Sequence, residues 1–164
     1  MKKLCVLVMC FLMVSLASAK KGADDGLNLF EFNHMTAVVP PFTGAANPIR
    51  GIGGAGAPWQ IASGNVEMKS TGKIELSVRG LVLVANGTNP IPTFAVIVSC
   101  QSKDAAGAPT VVNLVAGTTS ATATGDADFE GSVTPPSPCI APIVFVAIPA
   151  TATAPARWLA VTGF

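Results

Sequence analysis

The chain predicts an all-β fold, a single-domain β-sandwich of the immunoglobulin-like or Greek-key type or else a closed β-barrel, with about seven to nine strands behind a signal peptide. Two observations predict it. From Trp59 onward, short runs that are apolar or alternate in polarity recur at about 8–15-residue spacing, each bounded by turn residues. Half of the residues are apolar and only 12% are charged, a balance that calls for a packed core and excludes disorder.

The elements follow in order. Residues 1–19 read as a secretory signal peptide: a basic Met1-Lys2-Lys3, an apolar run over 4–16, and the small-residue motif Ala17-Ser18-Ala19 with cleavage after Ala19. The apolar run is shorter than the roughly 20 residues that span a bilayer, so the mature chain is expected to carry no transmembrane segment and to work in a secreted or periplasmic location. Residues 20–41 form an N-terminal segment, mobile at its start, with one early strand at 33–39. The sandwich domain is expected over 42–164. It opens with a loop, 42–58, in which Gly44, Pro48, Gly51, Gly53, Gly54, Gly56 and Pro58 interrupt any regular structure.

Residues 59–69 read as a strand with a bulge near Gly64, and Ser70-Thr71-Gly72 as a hairpin turn. The next strand, 73–84, places Ile74, Leu76 and Val78 on one face and Glu75, Ser77 and Arg79 on the other. Gly80 interrupts it, and 81–84 reads as buried on both faces. Asn86-Gly87 signals a two-residue type I′ turn. Further strands are expected at 93–100, 110–116, 123–133, 140–148 and 157–164, with a polar loop at 101–109. Trp59 and Trp158 both lie outside the interval between the mature cysteines, so the antibody-type core Trp is not in place and the sandwich is a generic one.

Cleavage changes the arithmetic. Of four cysteines, Cys5 and Cys10 leave with the signal, and Cys100 and Cys139 remain. In an oxidising compartment the pair is expected to form one disulfide, pinning neighbouring strands or clipping two sheets together. Loss of Lys2 and Lys3 leaves eight basic against nine acidic residues, a net charge of −1. No basic field exists to hold nucleic acid.

The motifs that resemble chemistry are weak. Gly51-Ile52-Gly53-Gly54-Ala55-Gly56 matches G-x-G-x-x-G, but dinucleotide binding needs a helix to begin inside it, and here Pro58 and a strand follow. No cofactor is expected. Asp126, Asp128 and Glu130 alternate with Ala127 and Phe129, so they project from one face of a strand and are the weak metal candidates, for calcium. The position where an EF-hand loop needs Glu is Ser137, so their plainer reading is a wet strand face. His34 is the single histidine and no Gly-x-Ser-x-Gly elbow accompanies it, so no catalytic residue is assigned. Glu67 and Glu75 flank the predicted hairpin and are candidate cross-strand neighbours. Asn86-Gly87-Thr88 is an N-glycosylation acceptor pattern in hosts that glycosylate secreted proteins.

Gly51-Ile52-Gly53-Gly54, Pro58-Trp59, Arg79-Gly80-Leu81-Val82-Leu83, Gly87-Thr88-Asn89-Pro90-Ile91-Pro92, Gly125-Asp126-Ala127-Asp128 and the run from Pro136 to Val146 together make most of the mature chain resemble a group of uncharacterised secreted bacterial proteins. The resemblance implies a secreted domain with its two cysteines paired, and no activity.

The resulting expectation is a non-enzymatic binding or structural β-domain with an extracellular or envelope partner. Recognition would fall to the 42–58 and 101–109 loops, with Arg50 as the ligand-binding candidate for an anionic group. The alternatives are a carboxylate-dependent hydrolase acting on carbohydrate, with two of Glu67, Glu75, Asp126, Asp128 and Glu130 about 5–10 Å apart, and a calcium-stabilised extracellular module.

Overall fold

A computed structural model describes residues 26–163. The expected signal peptide, its cleavage point after Ala19, and Phe164 lie outside the described residues. Within them the fold is all-β with no helix. Eight strands have five residues or more, and four have two.

The front sheet has the order β1 (Asn28–Phe32), β5 (Ser63–Lys69), β6 (Lys73–Arg79) and β10 (Ala127–Ser132), all antiparallel. The back sheet has the order β2 (Thr36–Ala37), β12 (Arg157–Val161), β11 (Ile140–Ile148), β8 (Thr93–Lys103) and β9 (Pro109–Ser120), with β3 (Gly53–Gly54) added in parallel on β12. β4 (Trp59–Gln60) and β7 (Val82–Leu83) form a separate small pair. No sheet closes on itself, so the closed-barrel alternative is ruled out among the described residues.

Period-two alternation makes the front sheet. Val66 and Met68, Ile74, Leu76 and Val78, and Ala127 and Phe129 turn inward and are buried, while their polar neighbours face water. The hairpin at Ser70-Thr71-Gly72 forms as expected: the Gly72 N–H donates to the Lys69 carbonyl, and Gly72 adopts φ 88°. A side chain there would also sit 2.1 Å from the Val133 carbonyl oxygen. These inward residues share one core cluster with Phe94, Val96, Val98, Val144 and Val146 of the back sheet.

The back sheet differs in that three of its strands, β8, β11 and β12, are buried on both faces. Residues 94–100 of β8, 143–147 of β11 and 158–161 of β12 are buried without interruption. Segment 42–58, expected to be a recognition loop, is the cover. The Phe42 and Trp158 rings lie 6.4 Å apart, and the Ala55 N–H donates to the Trp158 carbonyl. Ile52 and Ala55 are buried. The glycines of the G-x-G-x-x-G match have a packing reason. A Cβ on Gly54 would sit 2.0 Å from the Phe42 oxygen, and one on Gly53 would sit 2.2 Å from an Arg157 guanidinium nitrogen.

The bridge is formed. Cys100 of β8 and Cys139, next to β11, are joined with Cα atoms 5.0 Å apart. Of the two expected roles it takes the first, because β8 and β11 are neighbours in one sheet.

Several boundaries move. The 33–39 strand shrinks to Thr36–Ala37, and a separate strand, β1, precedes it. The strand expected over 59–69 breaks at Ile61-Ala62 rather than bulging at Gly64, whose bare Cα lets Met35 pack against it. The 101–109 loop is shorter than expected, because β8 continues to Lys103 and β9 begins at Pro109, paired to the end. Asn86-Gly87 is no type I′ turn. Asn86 does not take the positive φ that type requires, and the turn closes instead through Gly87 N–H and Thr88 carbonyl bonds to Leu83. Val84 is exposed rather than buried.

Candidate functional site: the acidic front face

The outward face of the front sheet gathers eight of the thirteen charged residues described. Register places Glu31 opposite Glu67, Glu67 opposite Glu75, and Glu75 opposite Glu130. Four glutamates from four strands thus form one row across the sheet. At the usual strand spacing of about 4.8 Å the row runs about 14 Å. The next row holds Asn65, Ser77 and Asp128. The two rows, with Asn33, line a shallow concavity of about 500 Å³.

Like charges directly opposite one another are destabilising on a sheet. Basic residues on the flanks offset them. The Lys73 ammonium lies 2.9 Å from Glu75 Oε1 and 3.2 Å from Glu130 Oε1. The Lys69 ammonium pairs with Glu67 and donates to Asn28 Oδ1. Arg79 Nη2 donates to both oxygens of Asp128, at 2.9 and 3.0 Å. Glu31 has no ion pair among the described residues.

These contacts shift the titrations in one direction. The Lys73 hydrogen bond holds Glu75 below its usual range, and Lys73 is raised by Glu75 and Glu130. Arg79, and then Ser77, lower Asp128. Asp126 is lowered by the Gly80 N–H, which donates to its Oδ1 at 2.9 Å, and by the Thr124 hydroxyl.

The structure separates the Asp126–Asp128–Glu130 trio. Asp126 belongs to the turn before β10, where its N–H meets the Thr122 hydroxyl, whereas Asp128 and Glu130 lie on the face and bind Arg79 and Lys73. Among the described residues no three His, Cys, Asp or Glu side chains converge to hold a metal ion. Glu67 and Glu75 do come together as cross-strand neighbours. Their symmetry about the hairpin was the readable signal, whereas the addition of Glu31 and Glu130 depends on non-local pairing.

Arg50 is placed elsewhere, on the back sheet. Its Nη1 donates to the Ser99 carbonyl at 2.8 Å and its Nη2 donates to the Ala141 carbonyl, one and two residues from the two half-cystines. Among the described residues Arg50 and Ala141 are the non-glycine residues with positive φ, at 49° and 45°. The guanidinium therefore fastens the 42–58 cover to β8 and β11. Asn86 is exposed, and its Oδ1 accepts from both the N–H and the hydroxyl of Thr88, at 3.1 and 3.0 Å. His34 is exposed in the link between β1 and β2.

No protein-family model, characterised protein or solved structure matches the chain. Among the described residues no helix is long and apolar enough to cross a membrane.

Proposed function

We propose that the chain is a non-enzymatic binding domain of the extracytoplasmic space, a Greek-key β-sandwich whose front face receives a cationic partner, namely a lysine- or arginine-rich protein surface. The observation that carries this reading is the in-register row Glu31–Glu67–Glu75–Glu130 on an open sheet face. With Asp128 the face holds five carboxylates against Lys69, Lys73 and Arg79. Such a surplus on one face attracts basic groups and raises their encounter rate. The Greek-key reading is supported by the path of the chain. β8 and β9 form a hairpin, β10 follows across the edge, and β11 returns to lie beside β8. The disulfide supports an oxidising compartment.

Hydrolysis is less well supported. A glycosidase pair needs one carboxyl kept protonated, with its pKa raised, beside one that stays ionised. The carboxyl groups shifted on and beside this face, Glu75, Asp126 and Asp128, all move downward. A calcium role would require Asp128 and Glu130 to give up Arg79 and Lys73.

Titration of the protein with an oligolysine peptide at low ionic strength tests the reading. Binding that weakens about tenfold or more with added salt, and to a similar extent in the Glu31→Gln/Glu67→Gln variant, is expected. Absence of binding, or equal binding by the variant, overturns it.

A further inference from the structure

The back sheet ends in β9, and β9 is an unusual edge. Edge strands are normally shielded by charges, prolines or covering segments, because their outward backbone groups can template another strand. β9 runs twelve residues and pairs with β8 alone among the described residues. From Ala105 to Gly125 there is no charged residue. No residue of β9 is fully buried, and its side chains alternate between exposed and half-buried. Val111 and Val115 are 43% and 66% exposed.

Only part of that edge is open. At its far end β9 bulges, where Val96 and Ile97 pair with Gly117 and Val115 and leave Ala116 as the extra residue. Beyond the bulge β9 faces the front sheet. Gly117 lies against Phe129, and the Thr119 hydroxyl donates to the Asp128 carbonyl at 2.6 Å. At the near end Pro109 has no N–H to offer. The open stretch is therefore Thr110–Ala116, with Asn113 at its centre.

We infer that this stretch pairs with the same stretch of a second copy of the chain, antiparallel about a two-fold axis at Asn113. That register sets Val111 opposite the second copy's Val115 on the outer face and Val112 opposite its Leu114 on the inner face. A two-fold contact must be self-complementary, and this one sets its valines and Leu114 against apolar partners, Thr110 against Ala116 and Asn113 against itself, with no like charges opposed. Ile140, 54% exposed, lies in the same row as Val111, with Gln101 between them. Seven paired residues and their flanks bury less than the roughly 800 Å² per partner of a standard interface, so the dimer forms at high concentration and dissociates on dilution. The pairing is independent of the acidic front face.

Sedimentation across a wide concentration range, with thermal melting to confirm the fold, tests the register through charge. The wild-type protein is expected to dimerise reversibly. Val111→Lys/Val115→Lys opposes lysine to lysine and should weaken dimerisation about tenfold or more. Val111→Glu/Val115→Lys removes the same valines but opposes glutamate to lysine, and should dimerise more tightly than the lysine pair. A wild-type protein monomeric at its solubility limit overturns the inference, as does equal dimerisation by the two variants.

Discussion

The two sheets meet in one core but treat their outward faces in opposite ways. In the front sheet β5, β6 and β10 alternate, so the outer face is polar and carries five carboxylates and three cations. The back sheet has continuous apolar runs in β8, β11 and β12, so its outer face demands a second cover. That cover is the most glycine-rich part of the chain, with one charged residue, Arg50, turned onto backbone carbonyls. The lesson is that low overall charge is spread unevenly. The chain spends its apolar residues on burying one sheet twice and concentrates its charge on the other.

The largest expected effect falls on the doubly buried sheet. Replacing Cys100 and Cys139 with Ala opens a link across 39 residues of sequence between β8 and β11. The chain-entropy model gives about 4 kcal/mol for it, or roughly 10 °C in melting temperature. Calorimetry of the variant measures this. A shift of less than about 3 °C would mean that core and cover hold β8 to β11 without the bridge. Next comes the cover itself. Gly54→Ala drives a methyl group to 2.0 Å from the Phe42 oxygen, whereas Gly56→Ala meets nothing within 4 Å. The first should lose about 2–3 kcal/mol and the second less than about 0.5 kcal/mol in denaturant unfolding. Equal losses would show that the segment is not a tight cover.

This contrast also explains what was readable beforehand. The front sheet obeys period two, and its hairpin at Ser70-Thr71-Gly72 and the pairing of Glu67 with Glu75 follow from local pattern alone. Glycine density signals freedom in isolation, and only the non-local pairing of Gly53–Gly54 with β12 and their contacts with Arg157, Phe42 and Val38 turn the segment into close packing. Arg50 went the same way: its neighbours in sequence suggested a bare-backbone anion site, while its partners, Ser99 and Ala141, lie 49 and 91 residues away. The full glutamate row was equally hidden, since Glu31 and Glu130 join it through strand pairings that no local pattern encodes. The disulfide and the two strands it joins follow from the sequence, whereas their being neighbours in one sheet does not.

A smaller effect of opposite sign sharpens the picture of the covered face. Ser99 is fully buried beside the Arg50 clamp, and its hydroxyl has no hydrogen-bond partner among the described residues. Ser99→Ala removes a buried polar group that makes no bond, so the variant should be as stable as the parent or more stable by up to about 1 kcal/mol. A clear loss of stability would mean that the hydroxyl has a partner, such as an ordered water under the cover.

The smallest effect belongs to the front face, and pH isolates it. Glu75, Asp126 and Asp128 titrate lower in the folded chain than in the unfolded one. Their contribution is fully present above the unfolded carboxylate values of about 4 and is lost as pH falls through the lower folded values. Lys73 is raised, so its contribution persists below the unfolded lysine value of about 10.4 and fades only above it. The melting temperature should therefore be level from about pH 5 to 8 and decline below about pH 4. Because these side chains are exposed to solvent, the acid decline should be shallow and should shrink in high salt. The cover has no carboxylate from 42 to 58 and contributes nothing to that limb. Glu75→Gln/Asp128→Asn should reduce it to the part that Asp126 contributes, while Gly54→Ala should lower the whole curve without changing its shape. An acid limb left unchanged by the double substitution would place the titrating groups off the front face, and the two faces would then differ in packing but not in electrostatics.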